Sequence, residues 1–115
     1  MSYDIYVQID TGGAEPATVA DVGNMTGNVA GIWDAAVRAA GFPGRFREIH
    51  GYKCGDVVEI LERAVAWACD PTNEAKLSAM EPANGWGSLD GAREYLQKTL
   101  TACKGHPKAV LYFST

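Results

Sequence analysis

The sequence predicts an α+β fold: a small sheet holding the N- and C-terminal strands, packed with three to four helices. Two observations lead to this. Residues 3–10 alternate apolar and polar residues with a period of two and residues 108–114 close the chain with Val, Leu, Tyr and Phe, while the middle carries apolar residues at i, i+3, i+4 and i+7. The prolines and most of the glycines fall between these segments or at their ends. Strands at the ends with helices between them give an α+β layout. At 115 residues the whole chain, 1–115, reads as one domain.

The first strand is expected over residues 3–10. Tyr3, Ile5, Val7 and Ile9 share one face, and Asp4, Tyr6, Gln8 and Asp10 share the other. Thr11-Gly12-Gly13 ends it. A second short strand is expected at 17–22. Residues 29–40 place Val29, Ile32, Trp33, Ala36 and Val37 on one stripe, an amphipathic helix with Asn28 as N-cap and Gly41 as its stop. Residues 42–53 form a connector, with a short strand expected near Phe46. A second helix runs from about Gly55 to Cys69, burying Val57, Val58, Leu61, Ala64, Val65 and Ala68. Asp70-Pro71 opens a short helix reaching about Met80. Ser88 caps a fourth, with Leu89, Ala92, Leu96, Leu100 and Cys103 inward, and Gly105-His106-Pro107 stops it. Residues 108–114 close the chain as a strand. The terminal strands pair, and residues 17–22 or 45–49 supply the third strand that a two-stranded sheet needs for stability.

Composition narrows the function. No apolar run approaches the ~20 residues a membrane span requires, and no signal peptide is visible at the N-terminus. The three cysteines, Cys54, Cys69 and Cys103, are too few and too irregular for a disulfide framework or a zinc site, so reduced thiols in a cytoplasmic setting are expected. The net charge of -4 hides an asymmetry: residues 1–37 carry five acids and no base, whereas Arg38, Arg45, Arg47 and Lys53 cluster in the first connector. That cluster falls short of the broad basic face of a DNA-binding domain. It suits a local phosphate or carboxylate contact, with arginine as the bidentate donor.

Catalytic patterns are sparse. There is no nucleophile elbow, Walker A loop, dinucleotide-binding glycine motif or His-Glu-x-x-His. His50 and His106 adjoin turn residues. His50 and Cys54 stand four apart across a turn, so Cys54 is expected to be inert and partly buried. Asp4 and Asp10 lie ~20 Å apart along their strand and cannot chelate one ion together. No catalytic residue, metal or cofactor is assigned, and the chain reads as a binding protein rather than an enzyme.

Two glycine–asparagine segments carry the binding expectation. Gly23-Asn24-Met25-Thr26-Gly27-Asn28 and Asn84-Gly85-Trp86-Gly87-Ser88 each precede a helical stretch. Amide side chains and free N–H groups at helix starts favour polar and anionic ligands. Trp86 between two glycines offers a stacking platform. The expected site therefore comprises Asn24, Thr26, Asn28, Asn84 and Trp86, joined by Arg45 or Arg47, and its ligand is a small polar or nucleotide-like molecule. The competing explanation is that Asn24, Thr26, Asn28 and Asn84 simply cap and turn the backbone. An alternative function is a protein–protein module that blocks a host factor or forms a homo-oligomer, using an apolar patch around Trp33, Trp67 or Phe42.

The same residues carry a resemblance. Tyr3-Asp4-Ile5-Tyr6, Asp10-Thr11-Gly12-Gly13, Asp21-Val22-Gly23-Asn24 with Thr26 and Asn28, His50-Gly51, Asn84-Gly85-Trp86-Gly87, Asp90-Gly91-Ala92 and His106-Pro107-Lys108-Ala109 resemble a group of small bacteriophage and prophage proteins with no established activity. The resemblance spans nearly the whole chain. It implies an accessory protein in the cytoplasm of a bacterial host, with sequestration of a nucleotide signal as one route to evading host defence. It brings no catalytic residues with it.

Overall fold

The computed structural model describes residues 2–115. Strands β1 (Ser2–Ile9) and β2 (Ala17–Thr26) form an antiparallel hairpin, and β3 (Val110–Ser114) pairs antiparallel with the other side of β1, giving the order β2-β1-β3. Helices α1 (Ala30–Ala39), α2 (Cys54–Cys69), α3 (Glu74–Ser78) and α4 (Leu89–Gly105) lie between β2 and β3 in the chain. This is the α+β arrangement read from the sequence. No helix among the described residues is long and apolar enough to cross a membrane.

The alternation in β1 decides which face is covered. Tyr3, Ile5 and Val7 are buried, as are Leu111 and Phe113 of β3. Their neighbours Tyr6 and Tyr112 face each other on the open side, ring centroids 6.3 Å apart. Trp33 stands at the centre of the core. Its ring lies 4.9 Å from Tyr3, 5.3 Å from Phe46 and 5.2 Å from Tyr95, and its indole N–H donates to Ala92 O at 3.1 Å. The apolar stripes of α1, α2 and α4 supply the rest, with Ile32, Leu61 and Leu96 fully buried.

Three boundaries differ from the sequence reading, each for a physical reason. The second strand extends to Thr26, four residues past its expected end. Two bulges allow this: Val22 and Val19 are the extra residues where the register with β1 slips. The first bulge is fixed by side chains, since Gly23 N–H donates to Asp21 Oδ1 (2.8 Å) and Tyr95 O–H donates to Gly23 O (2.8 Å). The cap of the following helix is Thr26, not Asn28. Its hydroxyl accepts from Asn28 N–H at 3.3 Å and opens a 3₁₀ turn, Gly27–Val29, that leads into α1. Residues around Phe46 form a 3₁₀ turn, Phe46–Ile49, rather than a strand. Asp34 Oδ1 accepts Phe46 N–H at 2.9 Å, which draws the turn onto α1 and seats the Phe46 ring beside Trp33. The expected stops and caps are present elsewhere: Gly41 at φ +101°, Asp70 accepting from Thr72 N–H, and Ser88 accepting from Gly91 N–H.

The two sheet edges are managed differently. Along β3, Gly51 N–H donates to Leu111 O (2.8 Å) and Leu111 N–H donates to Tyr52 O (3.0 Å). Farther along, Phe113 N–H donates to His50 Nδ1 (2.9 Å). The connector thus pairs with the β3 edge. The β2 edge is instead broken by its bulges, which oppose edge-to-edge pairing.

Candidate functional site

The two glycine–asparagine segments meet, and they meet at Gly87. A Cβ built there would stand 2.7 Å from Val29 Cγ1 and 2.9 Å from Thr26 Cγ2. The second loop therefore rests its backbone directly on the end of β2 and the turn that follows. Only glycine fits, because φ at Gly87 is +105° as well. Next in the chain, Gly91 at the start of α4 lies close to Met25: its Cβ would be 3.6 Å from Met25 Cε.

The rest of this loop is tied down by its own polar groups. Asn84 Oδ1 accepts Trp86 N–H (2.9 Å), Glu81 Oε2 accepts Leu89 N–H (3.1 Å), and Ser88 Oγ accepts Gly91 N–H (3.0 Å). Gly85, at φ +76°, completes the reversal. Trp86 is carried at the tip with 69% of its surface exposed, the most of any large apolar side chain described. An indole held out by an ordered loop is available for contact rather than serving as a plug over the core.

The polar groups predicted for the site divide by what they already hold. Asn24 lies in β2 opposite Asp4 and donates to Asp4 Oδ1 at 3.2 Å. Thr26 caps the 3₁₀ turn and Asn84 holds the Trp86 amide. Asn28 is exposed in the 3₁₀ turn that precedes α1. The first segment is thus strand and cap rather than an open loop, which is the local role that the residue types also allowed.

Arg45 and Arg47 belong to another part of the surface. They bracket Phe46 on the 3₁₀ turn beside β3, at the opposite sheet edge from Thr26 and Gly87. The Tyr3 hydroxyl is pushed up by burial and by Asp34, and both guanidiniums partly offset this. Arg45 N–H donates to Glu48 Oε1 (3.0 Å), and its side chain pairs with the same carboxylate at 3.8 Å. Arg47 instead lines a cavity of about 230 Å³ with Glu48, His50, Phe113 and Thr115. A second cavity, about 290 Å³, lies between β2 and α4 and is lined by Asp21, Val22, Glu94, Gln97, Lys98, Thr101 and Ala102.

The thiol–imidazole pair does not assemble. Cys54 is fully buried, and burial pushes its thiol up rather than activating it. Cys103, buried in contact with it, is also raised by burial. His50 turns its Nδ1 to the β3 edge. The apolar patch expected around Trp33 and Phe42 is absent from the surface, since both are buried, and Trp67 is half-covered with Lys76 over its ring at 5.4 Å. What the sequence did not reveal is that His50 and Phe113 would share a cavity with Arg47. They are 63 residues apart, and only the strand pairing brings them together.

Comparison of this chain with protein-family models, with curated proteins and with solved structures finds no match in any of the three.

Proposed function

We propose that this protein is a non-enzymatic binding module whose anchor is Trp86 and whose partner is another protein. The observation that carries this is the exposure of Trp86 on a loop fixed at both ends. An indole presented at low conformational cost is the side chain most often found at the energetic centre of protein interfaces. The neighbouring amides favour a protein surface over an enclosed small ligand, because Asn24, Thr26 and Asn84 already bond within the molecule. The resemblance to phage and prophage proteins supplies the setting. In it the partner is a factor of the bacterial host cytoplasm, and binding blocks that factor.

The convergence of the two segments at Gly87 supports a second reading, a nucleotide-like ligand. It would stack on the Trp86 ring and take hydrogen bonds from Asn28, so the protein would sequester a signal rather than block a protein.

Affinity capture from host lysate with the intact protein and with Trp86→Ala separates these readings. A stoichiometric partner held by the parent and lost by the variant supports the first. A partner held equally by both removes Trp86 as the anchor. Calorimetric titration with cyclic nucleotides and ADP-ribose-type compounds tests the second; absence of heat with all of them eliminates it.

A further inference from the structure

The cavity beside β3 has a chemistry of its own, set by three arrangements. Glu48 lines it, but its carboxylate is held toward Arg45 by the Arg45 amide and guanidinium. Gly44 closes against the same carboxylate: a Cβ there would stand 2.9 Å from Glu48 Oε2. The Glu48 charge on this wall is therefore partly offset, and Thr115 lines the cavity beside it. Arg47 is in the opposite condition. Among the described residues it enters no ion pair and donates no side-chain hydrogen bond, so its fork of donors is free. His50 is oriented by the sheet. Its Nδ1 accepts Phe113 N–H at 2.9 Å, which requires the ring proton to sit on Nε2 as a second donor. The Tyr112 ring, 5.0 Å from the imidazole, packs against it edge-on.

We infer that this cavity binds a small oxyanion, a phosphate or carboxylate group, between the Arg47 guanidinium and His50 Nε2–H, with Phe113 as an apolar wall. Arginine's planar donor fork matches the oxygens of both groups. At about 230 Å³ the space lies below the ~300–1,000 Å³ typical of drug-sized sites, so it takes a free anion or the anionic end of a larger molecule. The site uses none of the residues around Trp86, so either assignment can fail without the other.

The test is an amide chemical-shift titration of the labelled protein with sodium phosphate, and separately with benzoate, ionic strength being held constant with chloride. Residues 47–50 and 113–115 should shift along a saturable curve with at least one of the two anions. Arg47→Gln should weaken that binding by about tenfold or more, the loss expected for one charge-assisted contact. His50→Asn offers an amide oxygen in place of Nδ1 and so retains the bond from Phe113 N–H. It removes the Nε2 donor together with the ring contact to Tyr112, and binding should weaken by roughly three- to tenfold with at most a small fall in melting temperature. Arg47→Lys should fall between parent and Arg47→Gln. Shifts that stay linear in both anions overturn the proposal, as does an Arg47→Gln titration that superimposes on the parent's.

Discussion

Trp33 has no exposed surface. Three aromatic rings surround it, and its indole N–H is satisfied by Ala92 O. Trp86 leaves 69% of its surface open, and its loop is held by bonds to the backbone on either side rather than by its ring. The first side chain organises strands and helices that are distant in sequence. The second is organised by its own neighbours and contributes little to what holds the chain together. An aromatic residue kept in the open by an ordered scaffold is a feature that stability alone does not account for.

This contrast predicts widely different costs for the same substitution. Trp33→Ala removes the ring on which Tyr3, Phe46 and Tyr95 converge and leaves a cavity. It should lower stability by roughly 3–5 kcal/mol, a large fraction of the ~5–15 kcal/mol available to a domain. Denaturant unfolding monitored by far-ultraviolet circular dichroism measures it. A loss below about 1 kcal/mol would mean the core is centred elsewhere.

Two glycines beside Trp86 sharpen the comparison. Gly85 and Gly87 both adopt positive φ, but a Cβ on Gly85 meets nothing within 4 Å, while one on Gly87 runs into Val29 and Thr26. Gly85→Ala should therefore cost only the backbone strain, about 1 kcal/mol. Gly87→Ala carries the same strain and adds the displacement of two packed methyls, roughly 1–3 kcal/mol more. It should also lift the loop from the end of β2, read as changed amide shifts at residues 25–29. Equal effects at the two positions would show that the loops touch without supporting each other.

Tyr95 links the core to the bulge near the first segment. Tyr95→Phe keeps the ring near Trp33 but takes the donor from Gly23 O, at a cost of about 1 kcal/mol. Its pH dependence has a definite sign. Burial pushes the Tyr95 hydroxyl and the Cys54 and Cys103 thiols above their ordinary values of 10.0 and 9.0. Above pH 9 the unfolded chain then holds fewer protons than the folded one, so stability is complete below that pH and declines as pH rises. Tyr95→Phe should reduce the part of the decline that begins near pH 10, to which Tyr3 also contributes, and leave the part that begins near pH 9.

The legibility of these regions in the sequence follows from how local their causes are. Strand β1, the stripes of α1, α2 and α4, the stop at Gly41 and the cap at Ser88 depend on residues a turn apart, and each could be read directly. The bulges at Val19 and Val22 could not. They are held by pairing with β1 and by Tyr95, which is 72 residues from Gly23. The glycine–asparagine segments signalled tight backbone geometry correctly. They were silent on Gly87 seating against Thr26, because a missing side chain leaves no mark of what fills its place. Arg45 and Arg47 look equivalent in sequence; only the position of Glu48 separates a paired cation from a free one.

The smallest effect carries the most information about function. Trp86→Ala removes the most exposed large apolar side chain described, and the loop's anchoring bonds are made by Asn84, Glu81 and Ser88, none of which it touches. Its cost in stability should be within ±0.5 kcal/mol, the range of surface substitutions away from special contacts. Amide shifts should change only within the loop and at residues 25–29. A loss of 2 kcal/mol or more would mean that the indole packs where 69% of it is open, and the ring would then be a structural element. A neutral result leaves the ring with no structural duty, and any binding lost with it becomes attributable to contact alone.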